Sequence, residues 1–248
     1  MTAMSPVDED SPVPPAVSST VLKRVRVAWA GQLSIPVDAL RSAGTRFFAR
    51  EGATAVVALE LGGARVLVAP PSACSRLGSL DEELLLDVDT LASRLGQFQP
   101  RPIGVASLAY GDARPRIRGS VGVEPADRAM VEALRHRCST DEWDESGLSQ
   151  MPHRWAGFTS GGHLAAVAGY ERWGTDIAQL GVVADPSERG RGYATAAAGA
   201  AMTAALDDGL VAQWRCRVGN TASERLADSL GLTRLGRQAA VALLAGED

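Results

Sequence analysis

Residues 177–195 read Ile-Ala-Gln-Leu-Gly-Val-Val-Ala-Asp-Pro-Ser-Glu-Arg-Gly-Arg-Gly-Tyr-Ala-Thr. An apolar run ends at Asp185-Pro186. A basic turn follows, Arg189-Gly190-Arg191-Gly192, and then an alanine-rich segment from Ala194 to Leu206. A short apolar run closed by a turn signal reads as a strand. Pro186 cannot donate to a ladder, and it pushes Asp185 away from helical angles. The alanine-rich segment has no proline and little β-branching, so it reads as a helix. Gly209 suits a left-handed stop after it, although Asp207 and Asp208 in the last turn oppose the helix dipole. The stretch is therefore strand, turn, helix.

The turn carries the chemistry. The first amides of a helix have no internal partners and bear partial positive charge. Gly190 and Gly192 remove side chains that would hold a ligand away from the backbone. Arg189 and Arg191 add full positive charge. This combination suits a pyrophosphate. The turn is not the Gly-x-Gly-x-x-Gly dinucleotide fingerprint, and no Gly-Lys-Ser/Thr follows as in a Walker loop.

Arg189-x-x-Gly192-x-Ala194, after an apolar strand and Asp-Pro, resembles the coenzyme A signature of the GNAT superfamily of N-acetyltransferases, Arg/Gln-x-x-Gly-x-Gly/Ala. Downstream, Asn220-x-x-Ser223, Leu226 and Leu230-Gly231-Leu232 resemble the Asn-x-x-Ser/Ala…Leu-Gly-Phe segment of the same family. The clear likeness covers about residues 160–245, with a weaker part from near 120. It implies an α/β (α+β) fold with a mixed, mostly antiparallel sheet and a parallel strand–helix–strand coenzyme A site. It implies acetyl-CoA as co-substrate and an amine acceptor, small molecule or protein, that attacks directly. Two parallel strands would splay, with pantetheine in the gap. Backbone groups of Val182 and Ala184 would bond it, and an uncommitted amide near Val183 would serve the oxyanion. Arg189, Gly190, Arg191, Gly192, Tyr193 and Ala194 would hold the phosphates. Asn220 and Ser223 would line the far side, and Asn220 also suits a helix cap.

Proton transfer is less legible. Many members place a tyrosine as general acid seven residues after the asparagine, and this chain has Ala227 there. Tyr170, Glu171 and Gln179 are the remaining candidates, with Asp176 near them. Loss of turnover would leave a coenzyme A-binding sensor or regulatory module, which is the alternative reading.

Composition narrows the field. Of 248 residues, 46% are hydrophobic and 22% charged, as in an ordinary globular protein. A net charge of −4 gives no reason to propose nucleic acid as partner, so the arginines near 189 are a local feature. Cys74, Cys138 and Cys216 are widely spaced, as are His136, His153 and His163, with no metal-ligand spacing. No apolar run reaches bilayer length, and no secretory pattern opens the chain. No metal, no membrane and a cytoplasmic setting are expected.

Residues 1–19, rich in Pro, Ser, Asp and Glu, read as a disordered tail. Residues 20–115 read as an N-terminal α/β unit, either an accessory domain or a degenerate copy of the same fold, and residues 116–248 as the transferase. Within the first unit, Val21–Ala30 reads as a strand and Val37–Arg50 as helical. Runs at 54–61 and 64–69 around Gly62-Gly63 read as a hairpin, residues 80–98 as one amphipathic helix, and 102–110 as another apolar run. Gly111–Arg118 is the expected boundary. Beyond it, 120–123 reads as a strand, 125–138 as a helix, and the acidic 140–147 as a solvated helix start or loop that could also attract a cationic amine. Residues 154–159 and 163–171 read as a second hairpin, and 210–218 as a strand.

Overall fold

The computed structural model describes residues 17–117 and 121–244. Most of the expected tail, residues 1–16, lies outside this range, as do residues 118–120 at the expected boundary. Helix α1 (Ser19–Leu33) leads to β1 (Gly44–Ala49), the hairpin β2 (Ala55–Leu61) and β3 (Ala64–Ala69), and α2 (Pro71–Leu77). Then come α3 (Val88–Arg94) and β4 (Pro100–Gly111). The second half runs β5 (Gly122–Pro125), α4 (Arg128–Arg135), α5 (Thr140–Ser146), β6 (His153–Phe158), β7 (Leu164–Trp173) and β8 (Ile177–Ala184). It ends with α6 (Tyr193–Asp207), β9 (Val211–Arg217), α7 (Thr221–Ser229) and β10 (Thr233–Leu243).

All ten strands share one sheet, in the order β1-β3-β2-β10-β4-β9-β8-β7-β6-β5. The β1/β3 and β8/β9 pairings are parallel, and the other pairings are antiparallel. Strand β4, from the first half, lies between β9 and β10 from the second. The chain segments on either side of residue 115 therefore complete each other's hydrogen-bond ladders.

Three expectations for the first half need correction. Val21–Ala30 is helix α1, not a strand. Its buried residues Val21, Val25, Trp29 and Leu33 recur every fourth position, a helical stripe that a short window of alternating Val and basic residues concealed. Ser18 caps it by accepting from the Val21 amide at 3.2 Å. The 37–50 segment is a single 3₁₀ turn, Val37–Leu40, followed by strand β1. Gly44 opens that strand at φ 99, which a helix does not admit. Phe47 and Phe48 then point into different core clusters, as neighbours on a strand must. Residues 80–98 are not one helix. Asp87 adopts an extended conformation, and its carboxylate accepts from the Asp89 and Thr90 amides, so it caps α3 and breaks the run.

The sheet has helices on both faces. Alternation along β8 sends Ala178 and Leu180 towards the alanine-lined α6, where Ala197, Ala198, Ala201 and Ala205 are buried. It sends Ile177 and Val183 to the opposite face. Val183 packs there with Val131, Leu134 and Trp143 of α4 and α5, and Ile177 packs with Val211 against Val25 and Trp29 of α1. Trp29 Nε1 donates to Tyr110 Oη at 2.7 Å, and its ring meets Trp173 edge-on at 4.7 Å. Arg24 donates to the Asp176 carboxylate at 3.2 Å and the Gly209 carbonyl at 2.6 Å. Helix α1 is thereby fixed over the bases of β8 and β9.

The junction of the two halves admits little bulk. A Cβ on Gly236 of β10 would lie 1.9 Å from the Glu60 carbonyl oxygen of β2. Backbone cannot yield cheaply at that distance, so Gly236→Ala should destabilise the fold by about 1–3 kcal/mol or more. A lowered urea midpoint with unchanged slope checks this; an unchanged midpoint contradicts the registered β2/β10 contact.

Candidate functional site

Strands β8 and β9 pair in parallel over four positions, from Ile177↔Val211 to Leu180↔Trp214. Beyond them both strands continue, to Ala184 and Arg217, without pairing to each other. The Asp185 amide donates to Ala165 O at 2.8 Å on the β7 side. Ladder alternation then turns Val183 and Gly181 towards β7 and leaves Val182 and Ala184 facing the gap. The amide near Val183, expected to be uncommitted, thus points at β7. On β9, Val218 N–H bonds Val105 O at 2.9 Å, so Arg215 and Arg217 present their backbone to the gap.

The end of α5 reaches across this opening. A Cβ at Gly181 would be 1.9 Å from Ser146 O, so only glycine fits under that helix end. Glu145 Oε1 accepts from the Arg217 amide at 3.3 Å and from Asn220 Nδ2 at 3.2 Å. A carboxylate therefore takes the β9 amide that a continued β8/β9 ladder would have used.

At the outer end of the gap stands the basic turn. Gly190 and Gly192 hold φ of 76° and 86°, and nothing lies within 4 Å of where either Cβ would be. The first bond into α6 runs from Ala196 N–H to Gly192 O at 2.9 Å. The amides of Tyr193, Ala194 and Thr195 precede that ladder and have no acceptor among the described residues. Both arginines of the turn are paired with carboxylates, Arg189 with Glu142 at 2.7 Å and Arg191 with Glu188 at 3.0 Å. Arg137 holds the buried Asp185 carboxylate at 2.6 Å. The Ser187 hydroxyl and amide, and then Arg137, keep that carboxyl below its ordinary pKa. The Ser139 hydrogen bonds of a capping box, and then Arg189, do the same for Glu142.

On the face of α1 and α5 the sheet carries a cleft of about 1000 Å³. Trp29, Gln32 and Leu33 of α1 form one wall, and Asp141, Asp144 and Glu145 of α5 the other. Glu171, Gln179 and Gln213 stand side by side on its floor, in register across β7, β8 and β9. Gln213 Nε2 donates to Gln179 Oε1, and Gln179 Nε2 donates to the Leu180 carbonyl at 3.0 Å. Two residues further along β9, Arg215 also lines the cleft, and desolvation pushes its guanidinium pKa down. The cleft and the open gap meet where β8 and β9 part.

The residues singled out from sequence fall into three places. Arg189, Gly190, Arg191, Gly192, Tyr193 and Ala194 form the turn and first helical turn at the gap's outer end. Asn220 caps α7, its Oδ1 accepting from Ser223 N–H at 3.2 Å, and Ser223 Oγ accepts from Trp214 Nε1 at 2.9 Å. Glu171 and Gln179 lie on the cleft floor, but Tyr170 does not. Its ring is buried at 2% exposure on the α6 face, stacked on His153, and its hydroxyl donates to Asp208 at 2.9 Å. Burial and that carboxylate push its pKa up to about 12. The opposite-face parity of neighbours on a strand separates Tyr170 from Glu171. Sequence reading passed over Gln213 and Arg215, which alternate with Trp214 and Cys216. That period-two pattern was the available signal. Among the described residues no group of His, Cys, Asp and Glu could hold a metal ion, and no helix is long and apolar enough to cross a membrane.

The acetyltransferase (GNAT) domain model matches residues 102–233, just over half of the chain. The chain belongs to the GNAT acetyltransferase family. A search of curated proteins finds no match. Among solved structures, a GCN5-related N-acetyltransferase from Kribbella flavida is similar over 92% of this chain and 98% of its own, at 13% identity and TM-score 0.52. At that identity the likeness is one of overall fold alone. A GNAT-family acetyltransferase from Colwellia psychrerythraea aligns over 64% of this chain at 15% identity and TM-score 0.43, and the chain spans 62% of that protein's length. The Salmonella typhimurium protein yncA, whose structure holds its cofactor acetyl-CoA, aligns over 52% of this chain and 97% of its own, at 18% identity and TM-score 0.37.

In this GNAT member Tyr170 lies at the far end of α6 from the basic turn, bonded to Asp208. Tyr170→Phe should leave turnover within about threefold. A folded pKa raised above the ordinary 10 means the tyrosine's contribution is complete below pH 10 and is lost as pH rises towards 12. The variant should therefore lose stability less steeply over that alkaline window in pH-dependent melts. A collapse of turnover without unfolding would restore Tyr170 to the chemistry.

Proposed function

We propose that the chain is an N-acetyltransferase that takes its acetyl group from acetyl-CoA and hands it to an amine held in the cleft. The observation that carries this reading is a parallel strand pair that opens after four rungs into a gap, with unpartnered helix amides at its outer end and the cleft at its inner end. The turn fits a diphosphate: two glycines with open space beside them, three unbonded amides and two arginines. Arg189 and Arg191 would exchange half-exposed carboxylate partners for phosphate oxygens, a modest loss since pairs at the surface are worth about 0–1 kcal/mol. Val182 and Ala184 would meet the pantetheine amides, with Asn220 and Ser223 opposite. In this reading residues 116–248 carry the transfer, and 20–115 supply α1 as a cleft wall. Three free cysteines suit a reducing, cytoplasmic setting.

Bound acetyl-CoA supplies a thioester that the amine attacks directly. The chain's part is to present a neutral amine. An alkylammonium of pKa about 10.4 must first lose its proton. Glu171 is placed to take that proton through water, two strand spacings, about 10 Å, from Gln213. Exclusion of water by α1 and α5 would strengthen each polar contact within.

A second reading, a coenzyme A-binding module without turnover, is favoured by one observation. Ala227, where many relatives carry a tyrosine acid, is 3% exposed and packed into the alanine-rich core. Pure protein with acetyl-CoA and an amine panel, followed by thiol release, separates the two. The transferase reading expects amine-dependent thiol. A rise in melting temperature with acetyl-CoA but no thiol from any amine supports the module. At a ligand concentration of 100 Kd that rise corresponds to about 2.7 kcal/mol, or about 5–10 °C. Absence of both rejects the site altogether.

Gly192→Glu should abolish acetyl-CoA binding, because it adds bulk and a like charge where the phosphates are placed. Calorimetry on the folded variant checks this, and near-wild-type affinity would refute the placement.

A further inference from the structure

The cleft holds charges of both signs that do not neutralise one another. Asp141, Asp144 and Glu171 line it from α5 and β7, and none of them pairs with a cation among the described residues. Arg215 lines it from β9, and no carboxylate bonds its guanidinium among the described residues. The cation stands on β9, and the carboxylates stand over β7 and β8. Arg50 and Arg217 line the cleft as well, with Glu51 and Glu145, and Glu145 reaches the Arg217 amide, so the two signs mix at its ends, while Arg215 and Glu171 stand two strands apart.

Between them lies an unfilled hydrogen-bond position. Gln213 is 2% exposed, and its Oε1 has no donor partner among the described residues. A buried carbonyl oxygen left unpaired costs about 1–3 kcal/mol, so its retention on a cleft floor points to a donor that arrives with a ligand. Gln213 occupies the last-but-one paired rung before β8 and β9 separate, which is where an acceptor amine would have to sit to reach the gap.

We infer that the acceptor is an amine that also carries a carboxylate, its anionic end on the Arg215 guanidinium and its amine at the Gln179–Gln213 floor beneath the acidic wall. This rests on the transferase reading of the same site. An amino carboxylate is the ligand class that uses both signs of charge at once. A plain amine leaves Arg215, a solvent-reached guanidinium on the cleft floor, without an anion, and a plain carboxylate would face Asp141, Asp144 and Glu171. The spacing of Arg215 and Gln213, two residues along one strand and so about 7 Å between Cα atoms, suits an amine and a carboxylate separated by one to three carbons. The cleft volume leaves room for substituents on such a core.

The test compares carboxylate-bearing amines with their carboxylate-free counterparts: L-alanine and β-alanine against ethylamine, and γ-aminobutyrate against propylamine. With acetyl-CoA as donor, kcat/KM should favour the carboxylate-bearing member of at least one pair by tenfold or more. Arg215→Met, which keeps the apolar stem, should reduce that preference ten- to a hundredfold, chiefly through KM. Arg215→Lys should restore part of it. Taking the ratio within each protein cancels the difference in amine basicity. Acetyl-CoA affinity, measured by calorimetry on the same proteins, should not change. A wild-type preference for the plain amines, or an equal loss on both members of a pair in Arg215→Met, overturns the inference and leaves the transferase reading standing. If acetyl-CoA does not bind, that reading fails, and the inference is decided by calorimetric binding of the three amino carboxylates alone. Binding lost in Arg215→Met sustains it, and no binding to the wild type ends it.

Discussion

The structure turns on an interrupted ladder. Parallel strands normally continue pairing while both are extended, since each unpaired buried backbone group is costly. Here β8 and β9 stop after Leu180↔Trp214 although each runs on. Two contacts from α5 account for this. Ser146 O lies where a Cβ on Gly181 would be, and Glu145 occupies the Arg217 amide. A short helix with its own capping box thereby holds two strands apart. The backbone amides exposed along the gap, at Val182 and Ala184, then face a slot and not a partner strand.

Both ends of that slot depend on ordinary packing elsewhere. At the outer end, α6 lies close on the sheet because its buried face is Ala197, Ala198, Ala201 and Ala205, and its first turn is delivered by two left-handed glycines. At the inner end, the cleft exists because α1 and α5 cover the same face without meeting. Helix α1 is anchored to second-half strands through Trp29, Arg24, Ile177 and Val211. The first half of the chain thus supplies a wall of the site, and β4 supplies the neighbour that closes the other side of β9.

Much of the second half was legible in the sequence because its signals are local. A proline fixes the end of β8, glycines mark the turn, and alanine composition sets α6. The resemblance to the GNAT signatures named the family that the domain comparison then showed. The first half was less legible for a physical reason. Helix α1 carries Val at 21, 25 and 27, and residues that favour strands in isolation are overridden when Val21, Val25 and Trp29 all find core on one side. The break at Asp87 was invisible to a periodicity that Leu85, Leu91 and Leu95 satisfy in either case. The cleft was hidden because its floor is assembled from single residues on three strands, Glu171, Gln179 and Gln213. Only strand register makes them neighbours, and sequence does not state register.

Hydrogen–deuterium exchange of the backbone amides, with and without acetyl-CoA, tests the central claim most directly. If the interrupted ladder and the α6 start hold the donor, the amides of Val182, Tyr193, Ala194 and Thr195 should gain protection on addition of acetyl-CoA, while those already bonded to β7, such as Asp185, should change little. Tight binding with no added protection along that slot, or protection confined to another face of the sheet, would contradict the account.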